Sequence, residues 1–170
     1  SALSTLEINE IYNEAKSTTD KEIAKNAIQQ LSDVIGSGEL NNLAQVRIGH
    51  LYIHLNQKDS AAAVFERLIE SDPQSADGHL GLGLVKMDLR NRPRGSISHL
   101  QAAVAADSTR ADAHYALARA YLRTTRTTKG RKSADQAIRH NAKYAPPYLL
   151  LAKLYQREHK VEAAHAFCKN

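Results

Sequence analysis

The chain has 170 residues, of which 42% are hydrophobic and 24% are charged, a balance typical of a folded globular domain rather than of a disordered segment. Its single cysteine excludes an internal disulfide framework and a zinc site built from cysteines, and no apolar run reaches the roughly 18 residues of a membrane span. The net charge of +5 permits an acidic partner, while the compartment stays open between cytoplasm and periplasm.

Residues 1–41 form the first predicted unit, a helical hairpin that differs from the rest of the chain. Its two apolar stripes, each with helical spacing, are Leu3, Leu6, Ile11, Tyr12 and Ala15, then Ala27, Ile28, Leu31, Val34 and Ile35. The polar segment 17–20 supplies a turn and a cap, and Gly36-Ser37-Gly38 ends the second helix. We interpret this hairpin as a degenerate repeat or a cap.

The remaining chain repeats a pair made of a large aliphatic and a small residue. These pairs, spaced 34, 35 and 34 residues apart, are Ile48-Gly49, Leu82-Gly83, Leu117-Ala118 and Leu151-Ala152. A second small residue follows each pair with spacings of 35, 34 and 34, at Ala61, Ser96, Gly130 and Ala164. Small residues let two helices approach closely, so the shared period predicts stacked helix pairs. Their predicted ranges are 42–75, 76–110 (with one extra residue in the turn 90–95), 111–144 and 145–170.

With Tyr52, Phe65 and Asp72-Pro73 in the first copy, the sequence resembles the tetratricopeptide repeat family. The resemblance implies an all-α, right-handed superhelix of antiparallel helix pairs, about nine helices in one continuous domain. The copy at 145–170 stops within its second helix. We therefore expect a fragment of a longer repeat protein, or an end that packs on another copy.

Motifs with catalytic chemistry are missing from the sequence, which has neither a Gly-rich phosphate loop between a strand and a helix nor a nucleophile elbow. His50 and His54 are four residues apart and could share a metal ion, but the Glu of a zinc-protease helix is not between them. We favour two groove or surface histidines. The sequence thus predicts a protein that is not an enzyme and needs no metal or cofactor.

The resemblance also implies that the first helix of each pair lines a concave, protein-binding groove. Carried over residue by residue, the groove positions are Val46, Arg47, His50, Ile53, His54, Leu80, Leu84, Met87, Asp88, Tyr115, Arg119, Leu122, Arg123, Leu149, Lys153, Gln156 and Arg157. An apolar stripe on a helix face is normally core. Here the opposite face already supplies apolar core residues, which favours a surface for a partner.

Charge is divided between the two halves of the chain. Residues 1–85 carry 6 basic and 12 acidic residues, and residues 86–170 carry 17 and 6. The basic half favours a protein segment with apolar and acidic residues, bound within a larger assembly such as bacterial secretion, pilus or polysaccharide machinery. The alternative is a self-assembly module that uses its exposed ends and opposite charges to form a homo-oligomer. Nucleic acid is the least favoured partner, because the few aromatic residues occupy packing positions.

The resemblance excludes one way of binding a ligand. Family members that hold the C-terminal carboxylate of heat-shock chaperones use a clamp of Lys, Asn, Asn, Lys and Arg. The corresponding positions here are Val46, His50, Gly81, Asp112 and Ala116, which cannot form that clamp. We therefore expect the groove to bind an internal segment, with apolar side chains on Leu80, Leu84, Met87 and Leu122.

Overall fold

The chain forms an all-α helical repeat in the computed structural model, which describes residues 3–33, 35 and 40–167. These residues contain nine α-helices and no strand, which confirms the predicted fold class. The helices are α1 (Thr5–Ser17), α2 (Lys21–Ser32), α3 (Leu40–His54), α4 (Lys58–Ser71), α5 (Ala76–Leu84), α6 (Pro93–Ala106), α7 (Ala111–Arg123), α8 (Thr127–His140) and α9 (Ala145–Phe167). The predicted helix stop at Gly36-Ser37-Gly38 and the last residues, 168–170, lie outside the described residues.

The N-terminal hairpin packs its two helices on α3. Ser4 and Glu7 form a capping box at the start of α1, and Asp20 caps α2 by accepting a hydrogen bond from the backbone N–H of Glu22. Ile8 is buried in this interface, whereas Leu6 is 67% exposed. The sequence analysis placed Leu6 on the buried stripe, and Ile8 takes that position instead.

The core around α4 is organised by one aromatic side chain. Phe65 is fully buried, and its ring lies between the backbones of Gly49 on α3 and Gly81 on α5. A Cβ atom at either glycine would fall inside the van der Waals envelope of that ring. The small residues therefore set how closely the first helices of neighbouring pairs approach the helix between them.

An additional residue distinguishes the second helix pair from its neighbours. After α5 the chain continues in a π-helical turn, Val85–Leu89. Asn56, Asn91 and Thr125 occupy matching positions, since each is the left-handed residue after the first helix of its pair. Asn91 lies nine residues after Leu82, whereas Asn56 and Thr125 lie eight after their aliphatic residues. The π turn thus holds the extra residue, and its predicted place in the turn 90–95 was wrong.

Thr125 gives a first prediction because its backbone conformation suits asparagine better than threonine. Its φ is 62°, in the left-handed region that β-branched residues avoid, while the matching positions carry asparagine. Thr125→Asn is expected to stabilise the protein by roughly 0.5–1 kcal/mol. Urea denaturation would measure this change. Thr128→Asn, in the first turn of α8, is the control, and an equal gain there would contradict the explanation.

Similar hydrogen bonds tie the first helices of three pairs to the turns before them. The Nε2 atoms of His79 and His114 donate to the carbonyl oxygens of Pro73 and Ser108, each at 2.9 Å. The hydroxyl of Tyr148 makes the matching bond to the carbonyl of Ala142 at 3.1 Å. Each bond spans six residues, so these polar side chains fix the turn between successive pairs.

The last helix differs from the prediction for residues 145–170. The sequence suggested one helix and the start of a second, but α9 continues without a break from Ala145 to Phe167. Its apolar residues are only partly covered by α7 and α8. Up to residue 162, where the side chains of α9 are described, the large exposed apolar residues are Tyr148, Leu149, Tyr155 and Val161.

Candidate protein-binding cleft

A cleft of about 370 Å³ lies between α7 and α9. Seven residues line this α7–α9 cleft: Arg119, Leu122, Arg123, Leu150, Lys153, Leu154 and Arg157. Positions 119, 122 and 123 share one face of α7, and positions 150, 153, 154 and 157 share one face of α9, because residues three and four apart are neighbours on a helix. Three leucines and four cationic side chains therefore meet in one concave surface.

The apolar part of the cleft comes mainly from three leucines. Leu154 is 4% exposed and belongs to the packed layer beneath the surface, while Leu122 and Leu150 are partly buried. Leu122 is held by α8, because Gly130 has no side chain and lets the leucine lie against its backbone. The sequence pattern had selected Leu122. It missed Leu150 and Leu154, which are helical neighbours of the selected Lys153 and Arg157.

The four cations of the cleft differ in their surroundings. Arg119 and Arg123 form ion pairs with Asp88, which follows α5 in the π turn. Lys153 and Arg157 are exposed, and neither joins an ion pair within the described residues. The α9 side of the cleft thus presents positive charge directly to solvent.

Three predicted apolar groove residues belong to the core instead. Val46 is 6% exposed in the cluster around Phe65. Leu80 and Met87 are 3% and 0% exposed between α5, α6 and α7. Each is covered by a neighbouring helix, and Met87 belongs to the π turn. These three side chains have no free surface with which to bind a partner.

The other apolar groove residues are partly or largely accessible. Ile53 and Leu84 are partly buried against the core, and Tyr115 packs edge-on against Tyr144 with ring centroids 5.7 Å apart. Leu149 is 58% exposed on α9. These residues lie outside the α7–α9 cleft.

Two predicted groove residues of α3, Arg47 and His54, contact the N-terminal hairpin. Arg47 donates to Asn9 at 3.0 Å and lies 4.6 Å above the centre of the Tyr12 ring. His54 bonds the carbonyl of Thr18 through Nε2 at 3.1 Å. These two side chains hold α1 and its following turn against α3, a role that sequence spacing alone did not indicate.

His50 is packed between aromatic rings. Its ring meets Phe65 edge-on at 5.5 Å, and Tyr12 is 6.5 Å away. Burial, together with the positive charge of Arg47, lowers the pKa of His50 to about 4. His50 and His54 therefore have different partners, and within the described parts of the chain no group of three or more His, Cys, Asp or Glu side chains is arranged to hold a metal ion.

Two sequence models of the tetratricopeptide repeat match residues 44–75 and 80–146, together more than half of the chain. The chain belongs to the tetratricopeptide repeat (TPR) family. This membership supports a protein–protein interaction scaffold. The proposed boundaries of the individual TPR units, 42–75, 76–110, 111–144 and 145–170, stay a prediction.

Solved structures of TPR proteins share the fold. TTC0263, a thermophilic TPR protein of Thermus thermophilus, superposes with a TM-score of 0.69 at 17% identity, over 86% of this chain and 80% of that one. The crystal structure of MamA superposes with a TM-score of 0.65 at 20% identity, over 82% of this chain and 81% of that one. The first TPR of Spaghetti (RPAP3), bound to the HSP90 peptide SRMEEVD, superposes with a TM-score of 0.64 at 15% identity, over 74% of this chain and 98% of that one. At these identities the likeness concerns the fold.

No curated protein sequence matches the chain. In the part of the TPR chain that the structure describes, no helix has both the length and the apolar character needed to cross a bilayer.

Proposed function

We propose that the protein is a non-enzymatic interaction scaffold whose α7–α9 cleft binds a segment of a partner protein that carries apolar and acidic residues. One observation carries this proposal: three leucines and four cationic side chains line the same cleft. Apolar side chains of the segment would cover Leu122 and Leu150, which are partly exposed above the buried Leu154, and its carboxylates would lie near the cations.

The two kinds of contact contribute differently. Removing apolar surface from water contributes about 25 cal/mol per Å², so the accessible parts of Leu122 and Leu150 supply most of the affinity. Charge pairs at an exposed rim mainly raise the association rate and fix the orientation of the ligand. Because Lys153 and Arg157 lie on α9, the acidic residues of the bound segment are oriented toward that helix.

A structural neighbour supports a peptide ligand without specifying its sequence. The RPAP3 domain, which has the same fold, is bound to a peptide that contains two adjacent glutamates. The present chain has Val46, Gly81 and Ala116 at three positions of the carboxylate clamp described above. We therefore propose an internal acidic segment rather than a free C-terminus. The larger assembly suggested by the family, such as secretion, pilus or polysaccharide machinery, stays a prediction.

A charge-reversal experiment tests this function. The acidic probe is a short labelled peptide that combines leucine and glutamate in a serine background, and the neutral probe has glutamine in place of every glutamate. Arg157→Glu is expected to weaken binding of the acidic probe by about tenfold at low salt and by less at high salt. Fluorescence anisotropy would measure the dissociation constants.

A matched control lies on the same helix. Lys160→Glu makes the same charge change at an exposed position of α9 outside the cleft, and it is expected to have a much smaller effect. Equal losses in the two variants, or failure of the unaltered protein to bind either probe, would contradict a binding site in this cleft.

Self-assembly is a second candidate, favoured by the exposed apolar residues of α9. Tyr148, Leu149, Tyr155 and Val161 are each at least 46% exposed, and such side chains are common where two subunits meet. Light scattering over a range of concentrations would separate the candidates, since a self-assembling chain increases in mass and a monomeric scaffold does not. Leu149→Asp should then restore the monomer mass.

A further inference from the structure

The carboxylate of Asp88 lies between two of the four cations of the α7–α9 cleft. Arg119 donates to both of its oxygens, with N–O distances of 2.7 and 3.1 Å. Arg123 donates to Oδ1 at 3.3 Å and also to the carbonyl of Met87 at 2.8 Å. Asp88 is therefore held from α7 by three hydrogen bonds, two of which form the bidentate arrangement preferred between arginine and a carboxylate.

The position of Asp88 depends on the π turn Val85–Leu89. That turn is separated by one residue, Arg90, from the left-handed residue Asn91, whose side chain accepts a hydrogen bond from Arg123. Asp88 and the two arginines have side chains that are 30%, 29% and 36% exposed, so the ion pairs lie at the surface rather than in the core. A ligand can reach them.

We infer that Asp88 is an internal competitor for the ligand, because it occupies at Arg119 and Arg123 the place that a carboxylate of the bound segment would take. This inference rests on the proposed function. Acidic residues of an approaching partner can contact Lys153 and Arg157 directly. The same acidic residues reach Arg119 and Arg123 only by displacing Asp88. Asp88 thereby limits the affinity of the cleft for strongly acidic segments.

A purely structural role predicts a different outcome. An ion pair that only joins two helix pairs contributes to the free energy of unfolding but does not distinguish an acidic ligand from a neutral one. The chain contains such a pair away from the cleft, where Arg90 contacts Asp59 of α4 at 3.1 Å. Asp59 therefore offers a control with the same charge and the same kind of partner.

The experiment replaces Asp88 with asparagine, which keeps the shape of the side chain and one carbonyl oxygen as an acceptor. Asp88→Asn is expected to tighten binding of the acidic probe by about tenfold and to steepen its salt dependence. Binding of the neutral probe should stay the same, and Asp59→Asn should bind both probes like the unaltered protein. An unchanged affinity for the acidic probe, or an equal gain for the neutral probe or in Asp59→Asn, would overturn the inference.

A second measurement separates this inference from the proposed function. Succinate is titrated into the unaltered protein and into Asp88→Asn while the side-chain Nε resonances of Arg119 and Arg123 are followed by NMR. We expect succinate to shift both resonances at several-fold lower concentration in Asp88→Asn. The same response in both proteins would refute competition by Asp88, even where the peptide probes fail to bind and the proposed function falls.

Discussion

Gly81→Ala is expected to destabilise the protein by roughly 1–3 kcal/mol, because the added Cβ would overlap the ring of Phe65. The ring is fully buried and is already confined from the other side by Gly49, so it cannot move away without separating two helices. The mutation therefore forces α5 away from α4. Urea denaturation would measure the change in the free energy of unfolding.

Gly95 is the matched control for this substitution. It lies in the first turn of α6, where a Cβ would meet only the Cβ of Arg92, at 3.9 Å. Since alanine favours a helix over glycine when space is free, Gly95→Ala is expected to stabilise the protein by roughly 0.5–1 kcal/mol. If both substitutions changed stability in the same direction, the contact between Gly81 and Phe65 would not explain the effect.

Acidification is expected to destabilise the protein by up to about 3 kcal/mol through His50 alone. Burial and the nearby Arg47 hold the pKa of His50 in the folded state at about 4, below the ordinary histidine value of 6.5. Above pH 6.5 the imidazole is neutral in both states and the full stability is present. As the pH falls from 6.5 toward 4, the unfolded chain takes up a proton that the folded chain does not, and stability is lost.

Measuring the free energy of unfolding between pH 7 and 4 tests whether His50 causes this loss of stability. His50→Gln should remove a large part of the loss between pH 6.5 and 4. Burial and Lys86 also lower the pKa of His99, so a smaller loss of the same sign should persist in His50→Gln. Identical profiles for His50→Gln and the unaltered protein would contradict this explanation.

The sequence by itself determined the repeat architecture and part of the site. A period near 34 residues, marked by pairs such as Ile48-Gly49 and Leu117-Ala118, predicts stacked helix pairs because small residues must recur where helices touch. Helical periodicity also predicts that Arg119, Leu122 and Arg123 share one face. The structure brings them into one cleft with Lys153 and Arg157 of α9, which the sequence also predicted as groove residues. That these residues bind a partner stays a proposal.

Only the tertiary structure decided which of these faces stay accessible and which charges are paired. Val46 and Leu80 belong to the same predicted apolar stripe as Leu122, yet neighbouring helices cover them. The pairing of Asp88 with Arg119 joins residues 31 positions apart across two helix pairs, and Asp88 itself lies in the π turn. Periodicity fixes the side of a helix from which a residue projects, because that side follows from the backbone of one helix. What lies opposite that side depends on how separate helices pack, and their packing is a property of the whole fold.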